Sequence, residues 1–212
     1  MILAAAERCE TRDTVLIFGA GLLYDIPLAD LLAEFKRVIL ADLLFMGPAR
    51  QVARQVPRLK LATLDVTNSL EALAGGTTEV SLPTAYLDDP SISLVVSANV
   101  LSQLSIVPNE YLEERFGQTE EASEELGRKL VRAHLDYLAS FACPAALITD
   151  EARIIRDRAG AETATISALH DVSLPEGGES WNWDICPLGE IDREHSVTHR
   201  VRGYDAFPKN QK

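Results

Sequence analysis

Five short apolar runs punctuate the first 150 residues, and the segments between them carry helical periodicity. The runs are Val15 to Phe18, "RVILAD" (Arg37 to Asp42), "LKLATLD" (Leu59 to Asp65), "ISLVVSA" (Ile92 to Ala98) and "PAALITDE" (Pro144 to Glu151). Val15 to Phe18 is a compact β-rich run stopped by glycine, and each of the five reads as a strand. Ile26, Leu28, Leu31, Leu32 and Phe35 keep one helical face, with Asp25 as N-cap and Pro27 in the first turn. A second helix begins at Gly47-Pro48 and ends before Pro57, and a short one is centred on Leu70. A long helix is expected from Thr119 to Phe141, burying Leu126, Leu130, Val131, Leu135, Leu138 and Phe141. Strands alternating with helices predict a parallel sheet covered by helices on both faces.

The tail changes character. Glu179 to Cys186 and Glu194 to Phe207 read as two further strands, joined by a turn at Pro187-Leu188-Gly189, and predict an antiparallel edge. The total is a mostly parallel seven-stranded α/β sheet with an antiparallel C-terminal strand. Residues Ala152 to His170 suit either a helix or a hairpin turning at Ala159-Gly160. No repeat, low-complexity stretch or linker divides the chain, so residues 1–212 are read as one domain.

Bulk properties remove several function classes. A net charge of −12 repels phosphate backbones, and the arginines of "GPARQVARQVPRLK" suit a solvated helix face, so no nucleic-acid partner is expected. No run of 18 apolar residues is present, and "MILAAAERCETRD" lacks the basic region of a signal peptide. Cys9, Cys143 and Cys186 form no CxxC pair, which argues against a disulfide framework or a zinc cluster and for a cytoplasmic protein. Self-association is left open.

The segment "TVLIFGAGLLYDIP" (Thr14 to Pro27) runs a strand into Gly19-Ala20-Gly21 and then a helix. Glycines let backbone approach a ligand, and the following helix start offers unpaired N–H groups. Loops that hold a pyrophosphate favour a third glycine three residues on, where Tyr24 stands here, so the turn suits a nucleoside better than NAD or FAD. Asp42 ends the second strand, 21 residues after Gly21, where a carboxylate can accept both hydroxyls of a ribose. Asp65 ends the third strand and could accept from an adenine amino group, or simply cap the next helix.

These features together resemble the class I S-adenosylmethionine-dependent methyltransferases, over roughly Thr14 to Glu151. "VLIFGAG" resembles their glycine loop, "VILAD" their ribose-binding strand end, and "LATLDVT" their adenine-side turn. "SLVVSANVLSQL" resembles their fourth strand and its turn, and the final strands resemble the reversed hairpin that closes this Rossmann-like fold. The resemblance implies S-adenosyl-L-methionine as cofactor, a small-molecule methyl acceptor, and cofactor contacts at Gly19, Ala20, Gly21, Asp42, Leu43, Asp65 and Val66. It places Ser97 and Asn99 near the methionine moiety. Two loop positions differ from the family pattern: Ile17, where an acidic residue is common, and Leu23, where a glycine is common. A second reading stays open, a catalytically silent protein of this fold that binds the cofactor or a partner.

Methyl transfer from a sulfonium needs mainly positioning and a dry site, so no catalytic triad is required and none is evident in the sequence. Candidates for the acceptor side are Tyr24, Gln103 and Trp183, while Trp181 and Asp184 share the strand of Trp183. His134 falls on the apolar side of the long helix and reads as a buried core histidine. His195 and His199 share one face of a strand without a metal-ligand pattern.

Overall fold

The computed structural model describes residues 1–190 and 193–209. A short helix α1 (Ile2–Glu7) precedes the strand and helix series β1 (Thr14–Phe18), α2 (Leu28–Glu34), β2 (Arg37–Asp42), α3 (Gly47–Gln55), β3 (Leu59–Thr63), α4 (Leu70–Ala74) and β4 (Ile92–Ala98). A 3-10 turn (Leu101–Gln103) then leads into α5 (Ile106–Phe116) and α6 (Glu120–Ser140). Four strands finish the chain: β5 (Ala145–Asp157), β6 (Glu162–Ser167), β7 (Glu179–Cys186) and β8 (His195–Tyr204).

Seven strands follow one path, in the order β3-β2-β1-β4-β5-β8-β7, and β6 pairs with β5 off that path. The contacts from β3 through β5 are parallel, whereas β8 runs antiparallel to both β5 and β7. The expected mostly parallel sheet with a reversed C-terminal strand is therefore present. The reversed strand lies inside the sheet, and β7 forms the edge.

β5 is longer than its apolar run suggested because its two halves have different neighbours. Val95 to Ala98 of β4 flank its first residues, and β6 flanks it from Ala152 onward. The hairpin reading of residues 152–170 is the observed one. Gly160 adopts φ +83° in the turn, and the Asp157 carboxylate accepts the N–H groups of Ala159 and Ala161 at 2.9 and 2.8 Å.

Alternation along β1 divides the core into two layers. Val15 and Ile17 face a layer with α1 and α2, including Ile2, Leu31, Phe35, Leu40 and Val96. Leu16 and Phe18 face a layer dominated by α6, including Leu126, Leu130, Val131, Tyr137 and Phe141. Thr119 caps α6 by accepting the Ala122 N–H at 3.3 Å. Both faces of β4 are buried, as a central parallel strand requires.

One local expectation is corrected. Asp25 does not cap α2: that helix starts at Leu28, whose N–H bonds to the Ile26 carbonyl at 2.7 Å, and Pro27 occupies the cap position. Two helices, α1 and α5, went unanticipated. In α5 only Pro108 and Leu112 are buried, whereas Val107, Tyr111 and Phe116 are exposed, so no apolar stripe announces it. Cys9, Cys143 and Cys186 are free thiols, and among the described residues no helix is long and apolar enough to cross a membrane.

Candidate cofactor site

The C-terminal ends of β1, β2, β3 and β4 open into one cavity of about 560 Å³. Ligands of open parallel sheets bind at such a crevice. Gly19 stands at its floor with φ +87°, and its N–H bonds to the Ala41 carbonyl at 3.1 Å. A Cβ here would run into the Ala98 carbonyl and the Val100 side chain, so both conformation and space demand glycine. Gly21, at φ +47°, faces open space. Leu23 takes φ +67°, the left-handed conformation glycine would adopt freely, so the loop keeps its course without the third glycine.

Asp42 ties the loop to the sheet. Its Oδ2 accepts the Ala20 N–H at 2.9 Å and the Gly21 N–H at 3.4 Å. Its Oδ1 receives one long contact, from the Leu44 N–H at 3.5 Å, and so keeps acceptor capacity for a ligand.

Asp65 is differently committed. Oδ1 accepts from the Thr67 N–H and hydroxyl at 2.8 and 2.6 Å, and Oδ2 accepts the N–H groups of Ser69 and Leu70 at 2.9 and 2.8 Å. Four bonds fill a carboxylate. Of the two roles open to Asp65, the structure shows the capping one, at the start of α4, which leaves the neighbouring Val66 as the apolar wall beside it.

The far wall comes from the turn after β4. Asn99 has φ +55°, donates Nδ2–H to Asp25 Oδ2 at 3.1 Å, and its carbonyl accepts Gln103 Nε2–H at 2.7 Å. Asn99 Oδ1 is buried and has no hydrogen-bond partner among the described residues. Leu104, Val107 and Pro108 continue this wall, and Tyr24, 86% exposed, stands at the mouth.

Gly19, Ala20, Gly21, Tyr24, Asp42, Leu43, Asp65, Val66, Asn99 and Gln103 thus all line one cavity. Ser97 and Trp183 do not. Ser97 is fully buried, its hydroxyl 2.9 Å from His134 Nε2, because its side chain points into the α6 layer. Trp183 lies on edge strand β7, paired in register with His199. His134 is a core histidine whose pKa burial pushes down to about 4, so it is neutral at physiological pH. Sequence reasoning missed Asp25 as a cavity residue, having assigned it to a helix cap.

The lining carries Asp25, Asp42 and Asp65, and among its described residues no Lys, Arg or His. Its remaining surface is mostly aliphatic, from Leu22, Ile26, Leu44, Leu64, Leu70 and Val100 among others. Such a site favours a ligand that is cationic or neutral, and disfavours a polyphosphate.

No family model matches the sequence, and no curated protein matches it. Solved structures with a similar course include the N-methyltransferase NodS from Bradyrhizobium japonicum WM9 in complex with S-adenosyl-L-homocysteine. It is 16% identical, with 90% of this chain and 77% of that chain covered and a TM-score of 0.38. An rRNA methylase from Streptococcus thermophilus is 13% identical over 94% and 92% of the two chains, with a TM-score of 0.41. An S-adenosylmethionine-dependent methyltransferase from Mesorhizobium loti is 13% identical over 94% and 96%, with a TM-score of 0.37.

Proposed function

We propose that this chain binds S-adenosyl-L-methionine in the cavity at the ends of β1 to β4 and transfers a methyl group to a small molecule. One observation carries the reading: a glycine loop tied to a strand-end aspartate borders a cavity with three carboxylates and, among the described residues, no basic one. An acidic, largely aliphatic cavity suits a cationic nucleoside and opposes the pyrophosphate of NAD or FAD. When bound, the sulfonium supplies the methyl group and departs as a neutral thioether.

The chain's own contribution is placement and exclusion of water. Asp42 Oδ1 is the acceptor available for ribose hydroxyls, while Oδ2 fixes the loop. Val66, Leu43 and Leu64 offer an apolar slot for a purine face. Asp25, at the opposite wall and held by Asn99 Nδ2–H, supplies a carboxylate suited to an ammonium group. This polarity, with nucleoside groups toward β2 and β3 and the amino acid end toward β4, leaves the mouth near Tyr24 and Gln103 for the acceptor.

Calorimetric titration with S-adenosylmethionine, S-adenosylhomocysteine and NAD tests the reading. Micromolar binding of the first two and none of NAD is expected, and Asp42→Ala should weaken binding by about 1–3 kcal/mol, roughly 5- to 150-fold. Equal affinity in wild type and Asp42→Ala would remove the ribose contact from the account.

A further inference from the structure

The sheet ends on β7, and that edge is open. β7 has β8 on one side and, among the described residues, no strand on the other. A bare row of N–H and C=O groups is usually guarded by lysine, proline or a bulge along its length. The opposite edge follows this rule, since β3 carries Lys60 within its five residues, LKLAT. β7 does not. Its sequence ESWNWDIC holds no Lys, Arg, Pro or Gly, and its one register shift lies at the far end, between Asp184 and Cys186. Both tryptophans of the chain, Trp181 and Trp183, stand on this strand, 38% and 40% exposed.

Pairing of this strand with a second copy of itself is constrained by parity. In an antiparallel pair, residues directly opposite share a face, and both turn their N–H and C=O groups toward the facing strand or both away from it. These orientations alternate along a strand, so about a twofold axis odd residues must meet odd ones and even residues even ones. Three registers bring the strand centres together. With Asp184 on the axis two carboxylates oppose each other, which is destabilising. With Asn182 on the axis, Ser180 meets Asp184 of the second copy beside Arg202, which is already bonded to Glu151 at 3.3 Å. With Trp183 on the axis, Asn182 meets Asp184 of the second copy beside Arg200, the β8 residue in register with Asn182. Arg200 is exposed and makes no ion pair among the described residues. Asp184 accepts the Thr198 hydroxyl through Oδ1 at 2.8 Å, which leaves Oδ2 to accept from a guanidinium.

We propose that a second copy of this chain occupies the edge, with β7 pairing antiparallel to β7 about a twofold axis at Trp183, so that two sheets join into one. The two Trp183 side chains lie directly opposite each other, and each Trp181 sits on the diagonal within aromatic reach. On the other face two Arg200–Asp184 pairs bridge the seam. Two chains of charge −12 repel as wholes, and this local complementarity is what selects the Trp183 register. β7 contributes nothing to the lining of the cofactor cavity, so the inference stands independently of the cofactor reading.

Sedimentation velocity of the full chain tests the proposal. Across about 1–100 μM, the range that reads a micromolar association, a species of twice 23.2 kDa should form. Trp183→Lys sets two like charges on the axis and should raise the dimer dissociation constant about 30-fold or more. Arg200→Glu should weaken the dimer too, and Arg200→Glu combined with Asp184→Arg should recover it. In a Cys186→Ser background, oxidation should cross-link Trp183→Cys to its own copy and leave Asn182→Cys unlinked, which keeps the proposal testable if Trp183→Lys fails to fold. A monomer throughout the range overturns the proposal and leaves the edge to a strand of another protein. A dimer that Trp183→Lys does not weaken, or one that links through Asn182→Cys instead of Trp183→Cys, overturns the Trp183 axis on which the proposal stands.

Discussion

His134 converts burial into a pH dependence of stability. It is 1% exposed, between Phe18 and Tyr137, with ring centroids 6.0 and 6.1 Å away, and Ser97 Oγ is its hydrogen-bond partner. Burial pushes its pKa from 6.5 down to about 4, so the native state holds it neutral where the unfolded chain protonates. Between these values the unfolded state binds the extra proton, and stability falls as pH falls. For this one group the loss from pH 7 to pH 5 is about 2 kcal/mol, levelling at about 3 kcal/mol at lower pH. Urea unfolding of wild type and His134→Gln at pH 7 and pH 5 isolates the contribution. Glutamine retains an amide for Ser97 and cannot titrate, so its stability should drop about 2 kcal/mol less over that interval. Parallel pH dependence in the two proteins would refute the assignment of the acid sensitivity to this residue.

Two further substitutions probe the glycine loop. Gly19→Ala forces a Cβ against Ala98 and Val100 at a left-handed φ, and should destabilise by about 2–4 kcal/mol in urea unfolding; a loss under 1 kcal/mol would show the loop can move aside. Leu23→Gly relieves left-handed strain of about 1–2 kcal/mol but adds unfolded-state freedom of about 0.4–1 kcal/mol and removes packing against the α1 and α2 core layer. Stability within about 1 kcal/mol of wild type and cofactor affinity within about threefold are expected, and a much tighter complex by calorimetry would mean the leucine deforms the site.

The parallel half of the fold was legible because its strands are built on short apolar runs, continuous and buried on both faces at β1 and β4. The positions of Gly19, Asp42 and Asn99 followed from strand ends, which converge in any open parallel sheet. What stayed hidden depended on orientation. Ser97 and Asn99 are two residues apart and were assigned together, yet Ser97 sits within β4 facing the α6 layer, while the chain leaves the sheet at Asn99 with a positive φ. Asp25 is followed by a proline that starts no helix until Leu28, so its carboxylate is released to the cavity wall. The 3.0 Å approach of Asp150 to His199 joins residues 49 positions apart, and no local pattern encodes it. Leu23 looked like a lost glycine, but a leucine can be held in the glycine conformation when its side chain packs against the α2 layer.

The insertion of β8 between β5 and β7 has a consequence for biosynthesis. During vectorial synthesis, β1 to β5 can assemble their parallel ladder while β5 still presents a bare edge, and β7 emerges with no neighbour at all. Only when residues 195–204 leave the ribosome can one strand stitch both together, through ten registered partners on β5 and seven on β7. Nascent chains stalled before that point expose two unpaired strand edges, one bearing Trp181 and Trp183. They are the species most prone to capture by chaperones or by one another.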